Sequence, residues 1–139
     1  MKNSKFYSEL KEYLILFHPV MAGDENFIQE RSELAQQVFI DFSREGASID
    51  TAIAEANITL YKDLHFSTYQ LIKDIVEDEF ENIFIPDREQ FCRNMYAYLQ
   101  PLIAQFNIND DFDRTSDYGE LYNLIVGSIT EKIEKDGIQ

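Results

Sequence analysis

The sequence predicts an all-α fold, about six helices in an irregular or orthogonal bundle, and three observations predict it. Five Gly and three Pro in 139 residues leave little material for the tight turns of a sheet. Apolar residues recur at helical spacing over nearly the whole chain. Capping residues stand where those periodic runs begin. The length fits a single helical domain over residues 1–139, and such a domain buries roughly 68–70% of the surface its unfolded chain exposes, so no disulfide or metal is needed to hold it.

The first helix runs from about Ser4 to His18, with Phe6, Leu10, Tyr13, Leu14 and Phe17 on one stripe, and Pro19 ends it because a residue before proline avoids the α region. Asp24 caps the second, whose arc holds Ile28, Leu34, Ala35, Val38, Phe39 and Phe42, and Gly46 supplies the left-handed residue that stops it. Ser48 or Asp50 opens the third, which carries Ile49, Ala52, Ile53, Ala56, Leu60 and Leu64; its alanines allow close helix approach. The fourth has the clearest start, a capping box of Ser67 and Gln70 with Phe66 stapled onto Leu71, and runs to about Asn82. Pro86 or Asp87 begins the fifth, with Phe91, Met95, Tyr98, Leu99, Leu102, Ile103 and Phe106, and Pro101 kinks or splits it. Asn107 to Ser116 is polar and reads as the longest loop. Asp117 and Glu120 cap the last helix, which bears Leu121, Leu124, Ile125, Ile129 and Ile133 and ends at Gly137.

Charge narrows the function. Twelve basic residues against 26 acidic ones give a net charge of −14 on a chain that is 45% hydrophobic. Such a surface repels phosphate backbones and anionic headgroups, which argues against direct nucleic-acid or membrane binding and for a protein partner, a basic one where the acids cluster. Residues 24–82 hold four basic and fourteen acidic side chains, so most of the excess is regional. Cys92 has no partner for an internal disulfide, and no Cys/His cluster is spaced for zinc, so the chain reads as a reduced, cytoplasmic protein. The apolar run Tyr13–Phe17 is too short for a signal segment or a membrane span and follows Glu9 and Glu12. Ile40 and Ile58, off their helical arcs, are spare apolar surface for a homodimer.

Two charges fall inside apolar arcs when residues are placed at 100° intervals, Arg31 between Ile28 and Leu34, and Glu79 among Ile72, Ile75, Val76 and Ile83. They are structural buried-charge candidates. The simplest resolution pairs Arg31 with Glu79; the other places each at an arc edge with its own partner or water. Asp74, Glu77, Asp78 and Glu81 take positions i, i+3, i+4 and i+7 on the opposite face and form a candidate partner-binding patch. Glu77 and Glu81 with Glu30 and Glu33 would alternatively form a magnesium site of the all-α nucleotide pyrophosphohydrolase type, but no Lys or Arg accompanies them to hold phosphates. A third reading is an acidic DNA mimic that inhibits a basic protein.

The remaining candidates carry no chemistry. The loop with Asn109, Asp111 and Asp113 lacks the Gly and Glu of an EF-hand. His18 and His65 belong to no metal-binding pair, and Cys92 has no glycine-rich elbow to make it a nucleophile. No catalytic residue, cofactor or metal is assigned. The chain therefore reads as a non-catalytic interaction or regulatory protein rather than an enzyme.

The stretch Ala56-Asn57-Ile58-Thr59-Leu60-Tyr61-Lys62-Asp63-Leu64-His65-Phe66-Ser67-Thr68-Tyr69, followed by Glu79-Phe80, resembles a family of short bacterial proteins carried under a domain-of-unknown-function label. The resemblance covers most of the chain. It implies an all-helical bacterial cytosolic protein, transfers no activity, and places Glu79 within the family's signature.

Overall fold

The computed structural model describes residues 4–83 and 85–136. Among them are seven α-helices: α1 (Lys5–Phe17), α2 (Glu25–Arg44), α3 (Ile49–Leu60), α4 (Thr68–Glu79), α5 (Arg88–Tyr98), α6 (Gln100–Ile103) and α7 (Ser116–Asp136). No described residue is in a strand, so the all-α expectation holds. The chain divides into two compact units, Met1–His65 and Phe66–Gln139, each with its own core.

Four helix starts follow the capping signals; Asp87 precedes α5 without a side-chain cap hydrogen bond, and α7 begins at Ser116, so Asp117 lies inside its first turn instead of capping it. Ser4, Asp24, Ser48 and Ser67 each accept a hydrogen bond from the backbone N–H three residues on, at 3.2, 3.1, 3.1 and 2.9 Å. Helix ends depart further from expectation. Gly46, at φ 90°, stops the second helix as expected. The third stops four residues before Leu64, with Tyr61 as its cap, and the turn that follows passes through Asp63 in the left-handed region at φ 66°, which aspartate tolerates. Leu64 is still buried, delivered by the turn rather than by helical periodicity. Pro101 splits the fifth helix at Leu99 into α5 and α6, because it has no N–H to continue the helical ladder. Gly137, expected to end α7, lies outside the described residues.

In the first unit, α2 packs against α1 and α3 around Tyr7, Leu10, Leu14, Ile28, Ala35, Ala56 and Leu60. Its last turn is tied back to α1, since Tyr13 Oη and His18 Nε2 both donate to the Leu64 carbonyl, at 2.7 and 2.8 Å. Leu34, Ile49 and Ile53, placed on core stripes by periodicity, are exposed. In the second unit, α4 packs against α5 and α7 and buries Leu71, Ile72, Ile75 and Val76 on one side.

The polar segment after α6 contains the largest fully buried side chain, Phe112, at 1% exposure. Its ring meets those of Phe66, Phe106 and Tyr118 at centroid distances of 5.2, 6.2 and 6.4 Å. A lone Phe between two aspartates has no periodicity to announce it, so reading this segment as a solvated loop missed its anchor. A short helical turn over Phe112–Arg114, closed by the Thr115 hydroxyl donating to the Phe112 carbonyl at 2.7 Å, drives the ring inward while Asp111 and Asp113 stay in water. Replacing Phe112 with alanine is expected to destabilise the second unit by about 3–5 kcal/mol, as for other large-to-small core changes, measured by urea unfolding with tyrosine fluorescence. A loss below about 1 kcal/mol would mean that the ring is not the anchor.

Candidate functional site

The two charges that broke the apolar arcs each find partners within their own unit. Arg31, half-buried, directs Nη1 to three carbonyl oxygens at the end of α3: Thr59 at 3.4 Å, Leu60 at 3.2 Å and Lys62 at 2.8 Å. Its guanidinium also lies 4.9 Å from the centroid of the Phe27 ring. A helix C-terminus leaves carbonyls unpaired and carries partial negative charge, so a cation there meets both needs. Leu34 is exposed, which makes Arg31 the edge of the arc instead of its interior.

Glu79 is exposed, which corrects its assignment to the core. α4 ends at Glu79, short of the expected Asn82, and Phe80 breaks away at φ −131°. Phe80 and Ile83 then occupy the core, at 9% and 3% exposure, while the Glu79 carboxylate accepts a hydrogen bond from Tyr122 Oη on α7 at 2.9 Å.

The same early end rearranges the predicted acidic patch. Asp74, Glu77, Asp78 and Glu81 are all exposed, as a solvated face requires. Glu81, however, lies beyond α4 in a turn, where its carbonyl accepts from Arg88 Nη2 at 2.8 Å. Arg88 Nε donates to the Ile83 carbonyl at 2.8 Å, so this arginine ties together the turn that follows α4. Glu77 lines a hollow toward α5 with Lys73, Arg88 and Glu89. The remaining acids face α7.

That second edge forms the candidate site. Tyr118 and Tyr122, four residues apart on α7, have ring centroids 6.4 Å apart, tilted by 49°. Burial, then the charges of Asp74 and Asp113, raise the Tyr118 phenol above its ordinary range. Burial, the hydrogen bond to Glu79 and the charges of Glu79 and Asp78 push Tyr122 up to about 12. Carboxylates and tyrosine faces thus share one surface, with no described Lys or Arg ion-paired to Asp74, Asp78 or Glu79. Such chemistry attracts cations. Sequence reasoning missed both tyrosines because it followed only the aliphatic stripe of the last helix, of which Leu124 is in fact 41% exposed; the four-residue spacing of Tyr118 and Tyr122 was the available signal.

The other candidates do not assemble. Glu30 and Glu33 lie exposed on α2, and Glu33 accepts from Gln29 Nε2 at 2.7 Å. Among the described residues, no three His, Cys, Asp or Glu side chains group closely enough to hold a metal ion. Cys92 is 3% exposed, and burial pushes its thiol up to about 11, the wrong direction for a nucleophile. Ile58 is 63% exposed as anticipated, whereas Ile40 is half-buried. No helix among the described residues is long and apolar enough to cross a membrane.

The model of a family described as a domain of unknown function, DUF1896, matches residues 2–138, and the chain belongs to that family. The crystal structure of protein PG0816 from Porphyromonas gingivalis is similar, with 31% sequence identity and a TM-score of 0.90 over 96% of this chain and 92% of that one. No curated protein matches.

Two outcomes test the placement of the charges. Arg31→Met keeps the apolar stem and removes the carbonyl contacts, so it is expected to cost about 1.5–3 kcal/mol of stability in chemical denaturation. Glu79→Gln removes the charge beside Tyr122, and the phenol, followed by NMR of its Cζ, is expected to titrate below its wild-type value of about 12. With a folded pKa above the unfolded one, wild-type stability from this group is complete below the ordinary tyrosine range and is lost as pH rises through about 12. An unchanged Tyr122 titration would show that Glu79 does not act on it.

Proposed function

We propose that this member of the family is a non-catalytic interaction protein whose edge of Asp74, Asp78 and Glu79 on α4, flanked by Tyr118 and Tyr122 on α7, receives a basic segment of a partner protein. The single observation that carries the reading is the combination of exposed carboxylates without ion-pair partners and half-buried tyrosine rings on one surface. Lysine or arginine side chains would lie against the rings and meet the carboxylates. Residues 66–139 carry six basic and fifteen acidic side chains, so the surrounding field also favours approach of a cationic chain.

Asp74→Asn with Asp78→Asn leaves the core and the Glu79–Tyr122 bond untouched. A basic partner captured from the native cell by the wild-type chain is expected to bind the double variant about tenfold or more weakly, and its affinity for the wild type is expected to fall with added salt. Equal affinity for both forms, or binding indifferent to salt, would remove this edge from the interface.

A further inference from the structure

Between α4 and α5 lies a half-open hollow of about 150 Å³, lined by Lys73, Val76, Glu77, Arg88, Glu89 and Cys92. Its floor is apolar, since Val76 and Cys92 are 1% and 3% exposed. Two cations and two carboxylates stand around that floor. In a hollow this small, opposite charges would be expected to close on one another, yet among the described residues none of the four is in an ion pair. Lys73 and Glu77, one helical turn apart, are suited to an i,i+4 pair, but the ammonium lies 5.7 Å from the centroid of the Tyr69 ring instead. Arg88 is held by the Ile83 and Glu81 carbonyls through Nε and Nη2, which leaves Nη1 uncommitted among the described residues. The charges therefore stand apart, with space between them.

A lone anion in this space would meet Glu77 and Glu89, and a lone cation would meet Lys73 and Arg88. Only a ligand carrying both signs satisfies both pairs. Size sets a second limit, because a cavity of about 150 Å³ holds something like benzene, with about six non-hydrogen atoms. We propose that this hollow binds a small zwitterion, a free α-amino acid with a short apolar side chain. Its carboxylate meets Lys73 and the Nη1 of Arg88, its ammonium meets Glu77 and Glu89, and its side chain rests on Val76 and Cys92. The Cys92 thiol, protonated well above neutral pH, acts there as an apolar surface and takes part in no chemistry. The site is separate from the acidic edge that faces α7, and neither Lys73 nor Glu89 belongs to that edge.

The test is an amide NMR titration of the full chain with L-alanine, and in parallel with propionate and with ethylamine, which carry one charge each on a body of similar size. L-Alanine is expected to give saturable shifts confined to residues near positions 73–77 and 88–92, with Kd on the order of 1–10 mM, and each single-charge analogue to bind at least about tenfold more weakly. Lys73→Gln and Glu89→Gln, neither of which touches the core or the Arg88 contacts, are each expected to weaken L-alanine about tenfold. Absence of saturable shifts below about 100 mM, equal binding of propionate or ethylamine, or variants that bind as the wild type does would each overturn the proposal.

Discussion

The rest of the structure depends on keeping carboxylates in water. All 26 acidic side chains fall among the described residues, and none is buried. Removing an unpaired carboxylate from water costs several kcal/mol, and with 12 basic residues against 26 acidic ones most acids have no partner to offset that cost. Each helix must therefore be oriented so that its acids point outward. In α4 the result is a division of the helix itself, with Leu71, Ile72, Ile75 and Val76 inside and Asp74, Glu77 and Asp78 outside. Glu79, the last residue of α4, is exposed as well. The helix ends at that residue, and Phe80 and Ile83 take the inner positions instead.

An excess of acid creates a second difficulty at helix C-termini, where unpaired carbonyls and the dipole already concentrate negative charge. Arginine resolves it in both units. Arg31 reaches across from α2 to the end of α3, and Arg88 folds back from the start of α5 to the Glu81 and Ile83 carbonyls in the turn after α4. At Arg88 the planar guanidinium matters, because Nε and Nη2 each reach a different carbonyl, which a single ammonium at the end of a flexible stem does not reproduce. The basic side chain that the sequence marked as anomalous in the second helix is thus explained by the backbone of the third.

Helix starts were legible because capping is local: Ser4, Asp24, Ser48 and Ser67 each act on an N–H three residues away. Helix ends were less so, as they depend on a left-handed Asp63, on a missing N–H at Pro101, and on which residue the core accepts after Glu79. Periodicity also overfilled the core. Leu34, Ile49 and Ile53 have the phase of buried residues but are exposed, since phase says which way a side chain points and not what lies there. Phe112 shows the converse, a principal core residue with no periodic context. For the candidate site, the exposure of Asp74, Glu77, Asp78 and Glu81 was readable from the sequence, whereas their division between two edges was not, because it depends on α5 and α7 packing on different sides of α4.

That division gives α4 its importance. A recognition surface made of side chains from one helix is only as defined as the helix is fixed, and α4 is fixed at several points. Ser67 caps its start, Arg88 closes the turn that follows its end, and four consecutive inward positions are almost fully buried between them. Among the described residues, the charges on its two edges form no ion pair. Toward α5, Lys73 and Glu77 stay apart across a hollow; toward α7, Asp74 and Asp78 stay in water beside two tyrosine rings. Unsatisfied charge on a mobile segment would relax into local ion pairs, but on a helix held this way it remains available to a second molecule.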